Sequence, residues 1–262
     1  FHGRTLGTLT AGYSDKYREG FGPMPEGFDR VAYGNLNELR NAITPNTGGI
    51  LLEPIQGEGG ICRPPEGYLE GVRKAADEFG MLVMFDEVQT GVGRTGKLYA
   101  YEWSDMTPDI ISSAKGLGGG FPVGALLATE KAAAALPAGM HGTTFGGNPL
   151  AMAAANAVLD EVLKPGFMDH VLDMSQLIRD GLDAIARKHP GFIEEIRGMG
   201  LLLGMKTVPT NVDVVAKLRE LNLLTVPAGD NVVRILPPLN ITKSHVDEAL
   251  AAIEAAAAAL AK

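Results

Sequence analysis

PEGYLEGVRKAADEFGMLVMFDE, residues 65–87, carries the pattern on which the fold is read. From Pro65 to Phe79 the apolar and small residues recur at helical spacing, with Lys74, Asp77 and Glu78 on the other side, so a surface helix is expected. Met81 to Glu87 follows as a buried strand that stops in two acids. The same alternation extends outward. Leu36 to Ala42 reads as a short helix, and Gly48 to Glu53 as a buried strand closed by an acid. Downstream, Pro108 to Ser112 is a third apolar run and Gly124 to Glu130 a fourth. Strand, helix and strand in turn predict an α/β fold with a mostly parallel sheet, whose ligands bind beyond the carboxyl ends of the strands.

The flanks are read the same way. The Gly- and Pro-rich opening is expected to be loop with one short helix, leading to a strand at Phe28 to Tyr33. Beyond HGTTFGGNP, Leu150 to Leu163 is strongly helical and ends at Lys164, Pro165 and Gly166. A second long helix runs from Met168 to Lys188. It is followed by strands at Phe192 to Ile196 and Leu201 to Lys206, separated by RGMG. A helix from Asn211 to Leu221, strands near Leu223 to Val226 and Val232 to Leu236, and a terminal helix from Ser244 complete a smaller α+β domain. Residues 1–164 are therefore assigned to a large domain and 165–262 to a small one.

Composition removes several classes of function. A net charge of −8 and a pI near 5.2 do not suit a surface that tracks nucleic-acid phosphates. Cys62 is the one cysteine, so no intrachain disulfide can form and a cytoplasmic location is expected. No stretch has the apolar length of a membrane helix. His141, His170, His189 and His245 lack ligand spacing, so no metal is expected.

Chemistry is suggested by ISSAKGLGGGFPVG, residues 111–124, in which an apolar run hands one lysine, Lys115, to a glycine-dense turn. An activated lysine amine condenses with an aldehyde to form a Schiff base, and glycines let a flat ligand approach the backbone. Asp86, at the end of its strand, suits the protonated ring nitrogen of such an aldehyde cofactor. The plainer alternatives are a solvated loop lysine and a turn-capping aspartate. GVGRTG, residues 91–96, satisfies a dinucleotide pattern but is followed by no clean helix. Read as a P-loop, it has Leu98 where the magnesium-binding hydroxyl belongs, so a tight turn is expected.

FHGRT, EPIQGEGG, FDEVQTGVGRTG, SAKGLGGGFPVG, TTFGGNPLA, IRGMGLLLG and VVRILPPL occur in this order along the chain. Together they resemble the pyridoxal-phosphate-dependent class III aminotransferases, in particular the branch acting on acetylornithine or succinyldiaminopimelate. The resemblance implies fold type I and a Schiff base between Lys115 and pyridoxal 5'-phosphate. Asp86 would pair with the pyridine nitrogen, Gln89 with the ring hydroxyl, and Val88 and Phe1 would sandwich the ring, with Glu87 among the cofactor-contacting residues. Thr144 would reach the cofactor phosphate of a second subunit in a homodimer, and Thr143 would lie near substrate. Arg4 would grip a substrate carboxylate with its planar fork.

Glu58 and Arg234 would form a switch, closed for a donor reacting through its distal amine and open for 2-oxoglutarate. A purely structural ion pair, and a Phe1 that serves only as core, are the alternatives. The implied reaction is a two-half, ping-pong transamination, with ornithine or 4-aminobutyrate as alternative donors and an inactive aminotransferase-like chain as an alternative class. Family members carry a further segment before FHGRT, including a turn at a helix N-terminus that cradles the phosphate. The sequence is accordingly expected to be a fragment or a truncated chain.

Overall fold

A computed structural model describes residues 1–261. Short helices α1 (Leu6–Ala11) and α2 (Asp15–Arg18) come first, followed by α3 (Leu36–Ala42) and β1 (Gly49–Leu52). Helix α4 (Tyr68–Phe79) ends at Gly80, whose left-handed backbone (φ 70) lets its N–H bond back to the carbonyls of Ala76 and Asp77. That sharp stop launches β2 (Leu82–Asp86); β3 (Ile110–Ser113) and β4 (Ala125–Ala128) follow. The first sheet has the order β1-β2-β3-β4, with β1, β2 and β3 parallel and β4 antiparallel to β3. Asp86 pairs in register with Ser112, so β2 and β3 finish side by side and deliver their following turns to one edge.

The sheet is held by burial. Tyr68, Val72 and Ala76 of α4 pack on Val83 and Phe85 of β2 and on Leu39, Ile50 and Leu52. Burial of this apolar surface at about 25 cal/mol per Å² is the main favourable term.

After α5 (Glu130–Ala133), helix α6 (Pro149–Val162) starts where Asn148 Oδ1 accepts from Ala151 N at 2.9 Å and Pro149 takes the first turn. Helix α7 (Phe167–Lys188) leads into β5 (Ile193–Met199), β6 (Leu202–Thr207), α8 (Asn211–Glu220), β7 (Val226–Pro227), β8 (Val232–Ile235) and α9 (Lys243–Leu260). These strands form a second sheet, β5-β6-β8-β7, antiparallel throughout. Its core joins Ile178, Leu182 and Ile185 of α7 to Met205, Leu218, Val233 and Ile253.

Three sequence expectations are corrected. Phe28 to Tyr33 is not a strand: no ladder partner lies beside it, Phe28 is exposed, and Arg30 instead donates to the carbonyls of Gly12 and Tyr13. Nor does RGMG separate two strands, because Arg197 to Met199 belong to β5 and the turn contracts to Gly200 and Leu201. Gly198 permits this with φ 108; a Cβ there would lie 1.9 Å from the Leu202 carbonyl oxygen. The opening also holds two short helices where one was expected.

No helix among the described residues is long and apolar enough to cross a membrane.

Leu182 is fully buried in the second core. Leu182→Ala should lower the unfolding free energy by about 2–5 kcal/mol, read from the denaturant midpoint. A loss under about 1 kcal/mol would mean that this core is not the packed unit described here.

Candidate active site

Asp86 is buried at the end of β2, where its carboxylate makes two contacts. Oδ1 accepts from the Val88 backbone N–H at 3.0 Å, and Oδ2 lies 2.8 Å from His2 Nδ1. Burial acts to raise the carboxyl pKa, but the bonds from His2 and Val88 outweigh it and hold the group below its ordinary 3.8. The carboxylate is thus ionised at neutral pH and can only accept, so His2 Nδ1 carries the hydrogen.

One strand over, β3 ends at Ser113, and Lys115 opens a 3-10 turn spanning Lys115–Gly118. Its φ of 47 is left-handed, a cost of roughly 1–2 kcal/mol for a residue with a Cβ. Leu117 offsets that cost: it is buried against Val92, Ala155 and Val162 and anchors the turn from beneath. Although Lys115 keeps contact with solvent, the surrounding protein desolvates its amine and lowers its pKa below 10.5. Asp86, Glu58 and Glu53 oppose that shift, while the Arg234 cation adds to it. The result is a lysine with acids close enough to attract it, yet eased toward its neutral, nucleophilic form.

Arg234 enters from β8 with its side chain buried, and its Nη1 lies 2.6 Å from Glu58 Oε1. The same nitrogen donates to Gln89 Oε1 at 3.2 Å, and Gln89 Nε2 donates to Glu58 at 3.5 Å. Gly57 makes room for this triangle, since a Cβ there would stand 2.4 Å from Gln89 Cδ. The loop after β1, the turn after β2 and strand β8 thus converge on one cluster. Sequentially distant Asp86, Lys115, Glu58, Gln89 and Arg234 are brought together.

The other expected site residues stand apart in informative ways. Val88 is half-buried beside Asp86. Phe1 meets Tyr17 edge-on at 5.8 Å, and the Arg4 guanidinium lies 4.0 Å from the Tyr17 ring centre and 5.5 Å from that of Phe1. Arg4 makes no ion pair among the described residues. Thr143 and Thr144 lie on an exposed loop, where Thr143 Oγ1 accepts from Gly146 N at 3.1 Å.

Glu87, expected among the cofactor-contacting residues, turns its side chain into the protein. It is fully buried; its carboxylate accepts from Thr90 Oγ1, from Ala100 N at 3.0 Å and from Tyr101 N at 2.9 Å. Burial raises its pKa despite these bonds. Its side chain is spent on folding the turn after β2. His2 was missed from the sequence, because nothing there joins it to an aspartate 84 residues away.

An ionised buried carboxylate, a lysine of lowered pKa and a glycine-lined turn suit a flat cofactor with a cationic ring nitrogen at one end and an aldehyde at the other. That donor set, beyond the carboxyl ends of parallel strands, fits a cofactor held through a lysine. The chain matches the Aminotransferase class-III family over residues 1–257, and it belongs to that pyridoxal-phosphate-dependent family.

The protein named acetylornithine aminotransferase from Mesorhizobium japonicum is 55% identical over 261 residues, covering 100% of this chain and 65% of its own. Its namesake from Brucella melitensis biotype 1 is 57% identical over 256 residues, covering 98% and 64%. The chain thus spans about 65% of the length of the curated relatives it matches. Among solved structures, ornithine aminotransferase from Toxoplasma gondii ME49 superposes with a TM-score of 0.93 at 34% identity, covering 98% of this chain and 62% of that one. N-acetylornithine aminotransferase from Stenotrophomonas maltophilia K279a gives 0.81 at 37%, covering 88% and 62%.

The His2 contact carries a pH signature. A depressed carboxyl pKa contributes stability that is fully present above 3.8 and is lost as pH falls through the lower folded value. His2→Phe should raise the Asp86 pKa and shrink this acid-side loss, as read from denaturant midpoints across the acid range and from the carboxyl titration. An unchanged titration would remove His2 from the role given to it.

Proposed function

We propose that this protein is a transaminase that moves the distal amino group of N-acetylornithine, or of succinyldiaminopimelate, to 2-oxoglutarate. The observation that carries the reading is Lys115, lowered in pKa, between ionised Asp86 and an Arg234 already masked by Glu58. Identities of 55% and 57% to proteins named for acetylornithine support that donor over ornithine, whose named structure is 34% identical.

Lys115 and Asp86 would hold pyridoxal phosphate at its two ends. When bound, the cofactor supplies an aldehyde for amine exchange and a cationic ring that withdraws electrons from the reacting carbon. Lys115 Nζ would accept the proton from the substrate carbon bearing the amino group and later return one. Asp86 would hold the ring nitrogen in its charged form, with His2 orienting Asp86. Val88 and Phe1 would cover the ring faces, and Gln89 would turn from the Glu58–Arg234 pair to the ring hydroxyl.

The pair itself sorts the two half-reactions. Closed, Glu58 neutralises Arg234 and leaves the pocket suited to a donor presenting its distal amine, with no carboxylate at that end; open, Arg234 grips the α-carboxylate of 2-oxoglutarate. Arg4, without an ion pair, is left to take another carboxylate. Thr144 would serve a second copy of the chain, a role supported by the exposure of its loop and of the adjoining Phe145. A large unit ending at Lys164 and a small one beyond it are supported by a separate core under each sheet. A reducing cytoplasm fits the single thiol, Cys62.

Adding pyridoxal phosphate should give a visible absorbance band that borohydride fixes covalently to Lys115, and Lys115→Ala should lose it along with roughly 10⁴-fold or more of turnover. Absence of the label at Lys115 would sink the enzyme reading. A donor panel with 2-oxoglutarate should favour acetylornithine; preference for 4-aminobutyrate or ornithine would replace the first donor. Glu58→Gln should cut kcat/KM for the distal-amine donor by about 10–100-fold while sparing that for 2-oxoglutarate, separating a switch from a structural ion pair.

A further inference from the structure

The turn GVGRTG, residues 91–96, has no part in the function proposed above, yet it lies pressed between the two sheets. On one side Val92 is buried in a left-handed conformation (φ 56) that β-branched residues rarely adopt. It packs against Leu117, in the turn that Lys115 opens, and against Ala155 and Val162 of α6. On the other side Arg94 reaches the second sheet. Its Nη1 donates to the Leu201 carbonyl at 3.0 Å and to the Pro237 carbonyl at 2.6 Å, and its own carbonyl accepts from Leu201 N at 2.9 Å.

Those partners are well chosen for coupling. Leu201 lies in the turn between β5 and β6, and Pro237 lies just beyond β8, the strand that carries Arg234. Backbone meets backbone here: a Cβ on Gly200 would stand 2.5 Å from the Thr95 carbonyl carbon. Among the described residues the Arg94 guanidinium has no carboxylate partner, and burial draws its pKa down to about 10. Burying a cation on carbonyls alone is costly for stability. What the guanidinium provides in return is reach, one rigid group tying two carbonyls from different strands.

We propose that Arg94 is a positioning residue that sets the separation of Arg234 from Lys115 by clamping the end of β8 to the turn that supports the lysine. Val92, not Arg94, underlies Lys115. Loosening the clamp therefore lets Arg234 drift while Lys115 and Asp86 stay in place. Its kinetic consequence rests on the transaminase reading; the clamp itself does not.

The test uses the full chain loaded with pyridoxal phosphate, as wild type, Arg94→Met and Arg94→Lys. For Arg94→Met, KM for 2-oxoglutarate should rise about 10-fold or more, with kcat within about 3-fold and the cofactor spectrum unchanged; Arg94→Lys, able to reach one carbonyl, should recover part of the KM. In parallel, amide hydrogen exchange at Leu201, Leu236 and Leu239 should quicken by about 10-fold or more in Arg94→Met, less in Arg94→Lys, and not at all in β1, β2 and β3. A fall in kcat at constant KM, or unchanged exchange in both variants, overturns the proposal. Should Arg94→Met fail to fold, Arg94→Lys decides by the same two readings. A wild type that binds cofactor but does not transaminate fails the functional reading alone, and the exchange arm still decides the clamp.

Discussion

The parallel pairing of β2 with β3 sets Asp86 at the end of one strand and Lys115 just beyond the end of its neighbour, and the rest of the site is arranged around that constraint. A parallel pair sends both chains off the same sheet edge, so the register of Asp86 with Ser112 is what brings the two turns together. Water would screen such charges. Partial burial keeps them coupled, and the protein balances the two penalties differently. Asp86 is supplied with hydrogen bonds and stays charged, whereas Lys115 is left with desolvation and moves toward neutrality. One environment thus moves the two groups in different ways, holding the carboxylate ionised and easing the amine toward its neutral form.

The second sheet contributes through Arg234. An arginine this deeply buried needs several acceptors, and it finds them in Glu58, Gln89 and the Pro227 carbonyl, while its Nε has no partner. An incompletely satisfied guanidinium on a rigid strand, paired with a more exposed glutamate, is an arrangement in which the glutamate is the easier member to move. In the proposed switch Glu58 is therefore the member expected to move, while Arg234 stays.

Much of this was legible in the residues. Helices α3, α4, α6, α7, α8 and α9 and strands β1, β2 and β3 follow hydrophobic period and glycine or proline stops, all of them local signals. Phe28 to Tyr33 misled because a short apolar run says nothing about whether a partner strand is present. In the candidate site, the grouping of Lys115, Asp86, Glu58 and Arg234 was legible through the order of motifs, not through any one of them. His2 and Arg94 were not found, since each acts by a contact across a large gap in sequence and neither carries a periodic or compositional mark. The part Glu87 takes in folding the turn after β2 was not legible either, since its partners Thr90, Ala100 and Tyr101 lie in loops that carry no periodic signal.

Strand β4 is an edge whose four residues are all exposed, with Leu126 63% accessible and Leu127 43%. A flat apolar edge of this kind is a template for pairing with another chain. Coverage by a second copy would tie folding to association, so that the unfolding midpoint would climb with protein concentration by mass action. Dilution, as much as heat or denaturant, would then belong among the conditions that unmake this fold.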